Sequence, residues 1–330
     1  MRLLIAAPGP RLPHGDLAGP VGLPVLPALA GLLDRARRLP PAADWRSGVL
    51  AALCGVAGGS QLPAAAVAAR AVALPCGAGL CFAAPLHVIA GISRVHLPPG
   101  GWLRLAAEEE DRWVEAFNQE FGGPGLWLHS VGGGWLLAAP FAAAARDAAP
   151  ETLIGDPLTR LAARDEAERA LRRLGAEVEL WLAGHPLNRA REARGQPPLN
   201  CLWFWGGAPA VQLPHCARAP RALLVAGEPD PWLAGLAAHC AVPLVHATDW
   251  QSLTACADAL LVLAPPPEGA GAAHWQMLEE QWFAPAARSL RAGEIGALRL
   301  QIGASAWQLP DPSPLRWLRR RRPWHQRVLT

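Results

Sequence analysis

The stretch RALLVAGEPDPWLAGLAAHCAVPLVHATDWQSLTACADALLVLAP, Arg221 to Pro265, decides the fold class. RALLVAG is a short apolar run closed by a glycine. VPLVHA (242–247) and ADALLVLAP (257–265) repeat that form, and WLAGLAAHC (232–240) between them reads as a helix. Strands alternating with helices at this spacing predict an α/β sheet. Further on, HWQMLEEQWFAPAARSLRAG (274–293) predicts a helix in two pieces around Pro285, and ALRLQIG (297–303) a last strand. At the other end, RLLIAA (2–7) reads as a buried strand cut off by Pro8 and Gly9, and LPALAGLLDRARRL (26–39) as a helix.

The middle of the chain has a different texture. LCFAAPLHVIAG (80–91) and GWLRLA (101–106) read as strands. AAEEEDRWVEAFNQEFGG (106–123) is a helix with acids at its positive end and Trp113, Phe117 and Phe121 on one face. GLWLHSVGGGWLLAAP (125–140) predicts a hairpin, and DEAERALRRLGAEVELWLAG (165–184) a helix with Leu171, Leu174, Val178, Trp181 and Leu182 on one stripe. The expected division is an α/β core from 1–74 and 200–303, an inserted α+β part from 75–199, and a basic tail from 304–330.

Composition narrows the function classes. Of 330 residues, 52% are hydrophobic and 17% charged, which excludes a largely disordered chain. A net charge of +3 excludes a strongly basic nucleic-acid coat. There is no Lys and no Tyr, so every cation is Arg by default, and an Arg is weaker evidence for anion recognition than usual. The 7 cysteines are scattered without a Cys-x-x-Cys pair, which predicts buried reduced thiols in a cytoplasmic protein. No apolar run is long enough for a membrane span. Arg319 to Arg322, with Arg316, Arg327, Trp317 and Trp324, make a basic and aromatic tail. Such a tail is read first as a solvated terminus and second as a nucleic-acid contact.

The stretch HPLNRAREARGQPPLNCLWFWGG, His185 to Gly207, concentrates polar groups beside aromatic ones. Guanidinium and carboxamide groups grip phosphates or carboxylates through several hydrogen bonds at once, and neighbouring indoles lower the local dielectric. The competing reading pairs Arg191 with a carboxylate such as Glu192 or Glu179 and leaves Asn188 and Asn200 to satisfy loop backbone.

The pattern of His185, Pro186, Asn188, Arg191, Gly195, Asn200, Trp203, Trp205 and Gly206 resembles a signature of the archaeal-type cofactor-independent phosphoglycerate mutases, of the alkaline-phosphatase-like superfamily. Over most of its length the chain is similar to the RpfE-type bacterial regulatory proteins, themselves phosphoglycerate-mutase-like. The likeness includes Leu80 to His87, with Ala84 where an Asp is usual, Thr152 and Gly155, and Trp275, LEEQW (278–282) and Pro285. The resemblance implies a mixed sheet flanked by helices with an inserted α+β subdomain. It also implies a ligand site at His185, Asn188, Arg191, Asn200, Trp203 and Trp205.

An active member of that family needs two divalent ions, Asp and His ligands after the strands, and a nucleophilic Ser. This chain departs from that. Pro8-Gly9-Pro10 stands where Asp-Gly is expected, and after LLVLA only Glu268 and His274 remain as donors. His14 and Asp16 are the residues left to hold a metal, and Ser60, after two glycines, the one left as nucleophile. His87 and His129 read as core histidines. The expectation is therefore a regulatory protein that binds a small phosphorylated or carboxylated ligand, needs no cofactor, and has a protein rather than a nucleic-acid partner. The alternative is an active mutase or phosphatase with a rebuilt Mn, Mg or Zn site; a further one is a nucleic-acid-contacting regulator using the Arg run.

Overall fold

The computed structural model describes residues 1–9, 24–55, 64–72, 74, 79–91, 94–131, 133–155, 157–159, 161–208, 213–227, 230–254, 258–263, 271–310 and 323–328. In chain order the elements begin with β1 (Arg2–Ala7), α1 (Pro27–Arg35), β2 (Arg37–Leu39), α2 (Trp45–Cys54), α3 (Ala64–Ala68), β3 (Gly79–Leu86), β4 (Ile89–Ala90) and β5 (Val95–His96). Next come α4 (Ala107–Phe121), β6 (Trp127–Ser130), β7 (Trp135–Ala139), α5 (Glu166–Ala183), α6 (Pro186–Ala193) and β8 (Cys201–Ala208). The remainder is β9 (Ala222–Ala226), α7 (Pro231–Cys240), β10 (Leu244–His246), α8 (Gln251–Thr254), β11 (Asp258–Leu263), α9 (Gly271–Leu278), α10 (Ala284–Arg291), β12 (Ala297–Ile302), β13 (Ser305–Leu309) and α11 (Trp324–Val328). Two units result. Met1–Leu62, Pro214–Glu228 and Cys240–Thr330 form the first, and Pro63–Leu213 and Pro229–His239 the second.

The first unit is built on a seven-stranded sheet in the order β10-β9-β11-β1-β12-β13-β2. The first five strands are parallel, and β13 and β2 are antiparallel additions. Leu3 to Ala7 of β1 are all buried, as an unbroken apolar strand covered on both faces must be. One face packs on α1, through Leu29 and Leu33, and on the Trp282–Phe283 turn. That turn is a π-helical segment, Glu279–Phe283, joining α9 to α10. Pro285 therefore sits in the first turn of α10, where its missing N–H costs nothing, instead of breaking the helix.

Two boundaries differ from the sequence expectation. Helix α1 stops at Arg35, and Arg37–Leu39 turns into a strand because β13 offers it a partner, Leu39 opposite Ala306. That partner was hidden: SAWQL lies inside the stretch read as tail, yet it pairs along β12 and buries Trp307. The chain's last described residues also dock. Trp324 stacks on Trp275 with ring centroids 5.6 Å apart and donates to Pro24 O at 2.9 Å. Arg327 pairs with Asp34 at 2.7 Å. Arg319 to Arg322 lie outside the described residues.

The second unit carries an antiparallel sheet, β6-β7-β3-β8. The expected hairpin is present as β6 and β7. Strand β8 pairs with β3, with Trp203 opposite Ala84, so Cys201–Ala208 belongs with the inserted part and not with the core that was expected to begin at 200. GWLRLA forms no strand. The Pro98–Gly101 turn redirects it, and only Trp102 bridges Leu86, while Leu103 N donates to Pro85 O. Helices α4 and α5 cover the sheet through Trp113, Phe117, Val178 and Leu182.

Candidate functional site

The His185–Gly207 stretch is held by α5, which delivers its start, and by β8, which receives its end. Asp165 caps α5 by accepting from Glu168 N at 2.9 Å. His185 then caps α6: its Nδ1 accepts from Leu187 N at 3.2 Å, with Pro186 in the first helical position. The imidazole lies against Trp113 and Trp181, with centroids 4.8 and 4.6 Å away. Burial, and Arg189 nearby, lower its pKa. The neutral ring is the form that leaves Nδ1 able to accept.

The carboxamides face backbone. Asn188 Nδ2 donates to Leu182 O at 2.8 Å and Leu199 O at 2.7 Å, and its Oδ1 accepts from Leu199 N at 2.8 Å. Asn200 does the same for Val88, accepting its N–H and donating to its carbonyl, both at 2.8 Å. His87 Nδ1 meets Pro198 O at 2.9 Å. Arg191 is buried; Nε donates to Pro197 O at 2.8 Å and Nη1 to Glu109 Oε1 at 2.6 Å. Trp203 Nε1 donates to Ala148 O at 2.8 Å. Trp205 stacks on Phe82, centroids 4.4 Å apart. Gly206 has φ +64, a left-handed conformation that favours glycine, and a Cβ there would come within 3.1 Å of the Phe82 ring, which would have to give by a few tenths of an ångström.

The stretch is thus a clamp tying α5, α6 and β8 to the end of β3. The grip on an anion expected of Asn188, Arg191 and Asn200 is in this structure a grip on the chain itself. The reading that assigns the carboxamides to backbone describes them as they stand. For Arg191 the carboxylate is neither Glu192 nor Glu179 but Glu109, which α4 brings from far up the chain. No local pattern could have named it.

Among the described residues, the implied metal centre finds no set of carboxylate and imidazole ligands. The parallel strands β1, β9 and β12 run out at Ala7-Pro8-Gly9, Ala226-Gly227 and Ile302-Gly303, none of which offers an oxygen or nitrogen side chain to a divalent ion. Past β10, Asp249 is used as a helix cap, accepting from Ser252 N at 3.0 Å. Asp258 opens β11 and pairs with Arg2 at 2.6 Å. His274 is buried in α9. Among the described residues, no three carboxylate or imidazole groups come close enough to share an ion. His14, Asp16, Ser60 and Glu268 lie outside the described residues.

The second unit also has a small, solvent-open depression, with a cavity volume of about 30 Å³, lined by Arg146, Asp147, Glu168, Arg172 and Trp203. Arg146 forks onto Glu168, with Nη2 to Oε2 at 2.8 Å. That fork, and the Arg164 N–H, pull the Glu168 carboxyl down to about 2. Asp147 accepts from Leu161 N at 3.1 Å. Arg172 has no ion-pair partner among the described residues. The sequence reading missed this group because Arg172 is one of several arginines on α5, and only the fold sets it beside Trp203. It also missed that Cys54, Cys216 and Cys240 converge, since nothing in their spacing announces it.

Fold and site together define a two-unit α/β protein with a mixed sheet in one unit and an antiparallel α+β sheet in the other. No family model matches the sequence, and no curated protein matches it significantly. Among solved structures, the cofactor-independent phosphoglycerate mutase from Thermoplasma acidophilum DSM 1728 aligns at 16% identity and a TM-score of 0.41, covering 94% of this chain and 90% of that one. The PH0037 protein from Pyrococcus horikoshii aligns at 12% identity and a TM-score of 0.48, covering 94% and 88%. At these scores the likeness carries no residue's role across. Among the described residues, no helix is long and apolar enough to cross a membrane.

Proposed function

We propose that this is a phosphoglycerate-mutase-like protein that works as a regulator by binding a small phosphorylated or carboxylated ligand, and does not carry out metal-dependent phosphoryl transfer. The observation that carries the reading is the chemistry at the carboxyl ends of the parallel strands. A two-metal catalyst needs carboxylates and imidazoles there; at the described ends of β1, β9 and β12 this chain has Ala, Pro, Gly and Ile, and Asp230 and Asp249, a few residues past β9 and β10, are used as helix caps, accepting from Leu233 N and Ser252 N. The motif residues that persist each have a part in holding the second unit together, so the signature outlives the chemistry as a scaffold. His185, Asn188, Arg191 and Asn200 then frame the ligand site indirectly. They hold β8, whose Trp203 lines the depression, and Trp205 fixes the same strand from Phe82. Arg172 supplies the cation.

Calorimetric titration with 3-phosphoglycerate and with inorganic phosphate tests this. The wild type binds, and Arg172→Ala weakens binding by about 10-fold or more, the worth of one charge-assisted hydrogen bond. Conversion of 3-phosphoglycerate to 2-phosphoglycerate, assayed with manganese, stays at background. Manganese-dependent turnover, or a wild type that binds neither anion, overturns the reading.

A further inference from the structure

Cysteines 54, 216 and 240 are far apart in sequence, yet in the first unit the Cys216 sulfur lies close to each of the other two. Cys54 Sγ lies 3.7 Å from Cys216 Sγ, and Cys216 Sγ lies 3.1 Å from Cys240 Sγ. Cys54 and Cys216 are buried and Cys240 is partly so. Cys81, sealed in β3 of the other unit, shows what an ordinary core thiol looks like: a small hydrophobe among hydrophobes. The trio is different. Two of its members end helices, Cys54 closing α2 and Cys240 closing α7, and the third sits in the irregular run before β9. Each helix turns away at once through a left-handed residue. After Cys54 this is Gly55, at φ 71, and after Cys240 it is Ala241, at φ 53. Ala241 is the one non-glycine residue with positive φ among those described. Such a conformation is unfavourable for a residue with a Cβ and persists where the surroundings require it. Here it leaves Cys240 as the last residue of its helix, with the thiol turned to Cys216.

We propose that Cys54, Cys216 and Cys240, all three in the first unit, form a trithiolate site for a soft, closed-shell cation, Zn2+ or Cu+, that staples the end of α2 to the approach to β9 and to Cys240. Thiolates about 2.3 Å from a tetrahedral zinc stand about 3.8 Å from one another. The Cys54–Cys216 separation already matches. The Cys216–Cys240 pair has to open by about 0.7 Å to reach that spacing, which Cys216, outside any helix or strand, can give, and the Cys54 and Cys240 sulfurs have to turn toward a common ion. Sulfur ligands select thiophilic ions over the Mg2+ or Mn2+ of phosphoryl-transfer centres. This site is therefore independent of the mutase chemistry discussed above. Three sulfurs suffice for trigonal Cu+, whereas Zn2+ takes a fourth donor to complete its tetrahedron. Binding displaces the thiol protons.

The test uses the full chain, purified with a phosphine reductant and without chelator. Cobalt titration should give sulfur-to-metal charge-transfer absorption and the intense visible bands of a tetrahedral ion. Elemental analysis after gel filtration should find about one Zn2+ or Cu+ per chain, and competition with zinc- and copper-selective chelators decides which ion is held more tightly. Cys54→Ser, Cys216→Ser and Cys240→Ser should each weaken binding by more than about 100-fold, beyond the loss expected for a mere supporting residue. Cys81→Ala should bind as the wild type does. Because a variant can fail to fold, X-ray absorption on the metal-loaded wild type is the companion measurement, with three sulfur neighbours at about 2.3 Å expected for zinc. Reduced, folded wild type that retains no cobalt, zinc or copper overturns the proposal. So does a first shell of nitrogen and oxygen only, or a Cys216–Cys240 disulfide in a protein that holds no metal once reduced.

Discussion

Asn188 shows at the scale of one residue how a motif can be kept for architecture. Its carboxamide bonds two carbonyls and one N–H where α5 ends and β8 begins, and the side chain is buried. Asn188→Ala strands those three groups. With a cost of about 1–3 kcal/mol for each unsatisfied buried group, partly relieved by water, a loss of about 3 kcal/mol in urea unfolding is expected. Arg191 invites a sharper experiment, because its guanidinium is only 5% exposed while Glu109 is 20% exposed. Arg191→Met leaves a half-buried carboxylate with only the exposed Arg194, 3.8 Å away, and costs about 3 kcal/mol. Adding Glu109→Leu removes that poorly compensated charge and recovers part of the loss. A double variant less stable than Arg191→Met would show that the pair is not coupled as described. Neither partner could be paired from the sequence. Local spacing offered Glu192 and Glu179, and the true partner depends on how α4 packs.

Elements were more legible than contacts. The apolar run of β1, the stripe of α5 and the hairpin of β6 and β7 announce themselves because burial imposes a period on sequence. What stayed hidden were segments that take their structure from a neighbour, such as β2, which is a strand only because β13 lies beside it. The N-terminus of α5, where the structure shows Asp165 as the cap, gives a pH prediction. Glu168 accepts from Arg164 N and from the Arg146 fork, which hold its folded-state pKa at about 2. An unfolded Glu titrates near 4.3. The stabilisation is therefore complete above about pH 4.3 and fades as pH falls toward about 2, because the unfolded chain takes up the proton first. Glu168→Gln should lose stability at pH 6 and show a shallower acid limb than wild type between about pH 4.3 and 2. Parallel acid limbs, measured as urea midpoints against pH, would rule this out.

For the molecule as a whole, the instructive case is the C-terminal segment. Composition alone makes it a frayed basic tail, and the four consecutive arginines reinforce that reading. Yet α11 returns to the first unit, where Trp324 is 4% exposed, stacks on Trp275 and donates to Pro24 O. Arg327 reaches Leu33 O at 3.0 Å and Asp34 at 2.7 Å, gripping the C-terminal half of α1. Composition misleads because the anchoring residues are few and the charges between them many, so an average over the segment reports the charges. A docked indole should dominate the energetics. Trp324→Ala should cost about 3–5 kcal/mol, the range for emptying a buried aromatic site, whereas Arg327→Ala, a partly exposed ion pair, should cost about 1 kcal/mol or less. Ending the chain at Arg322 should match or exceed Trp324→Ala, since it removes the same anchor and the salt bridge together. If the truncated chain unfolds at the wild-type urea concentration, α11 contributes nothing to the first unit and the segment is the free tail its composition suggests.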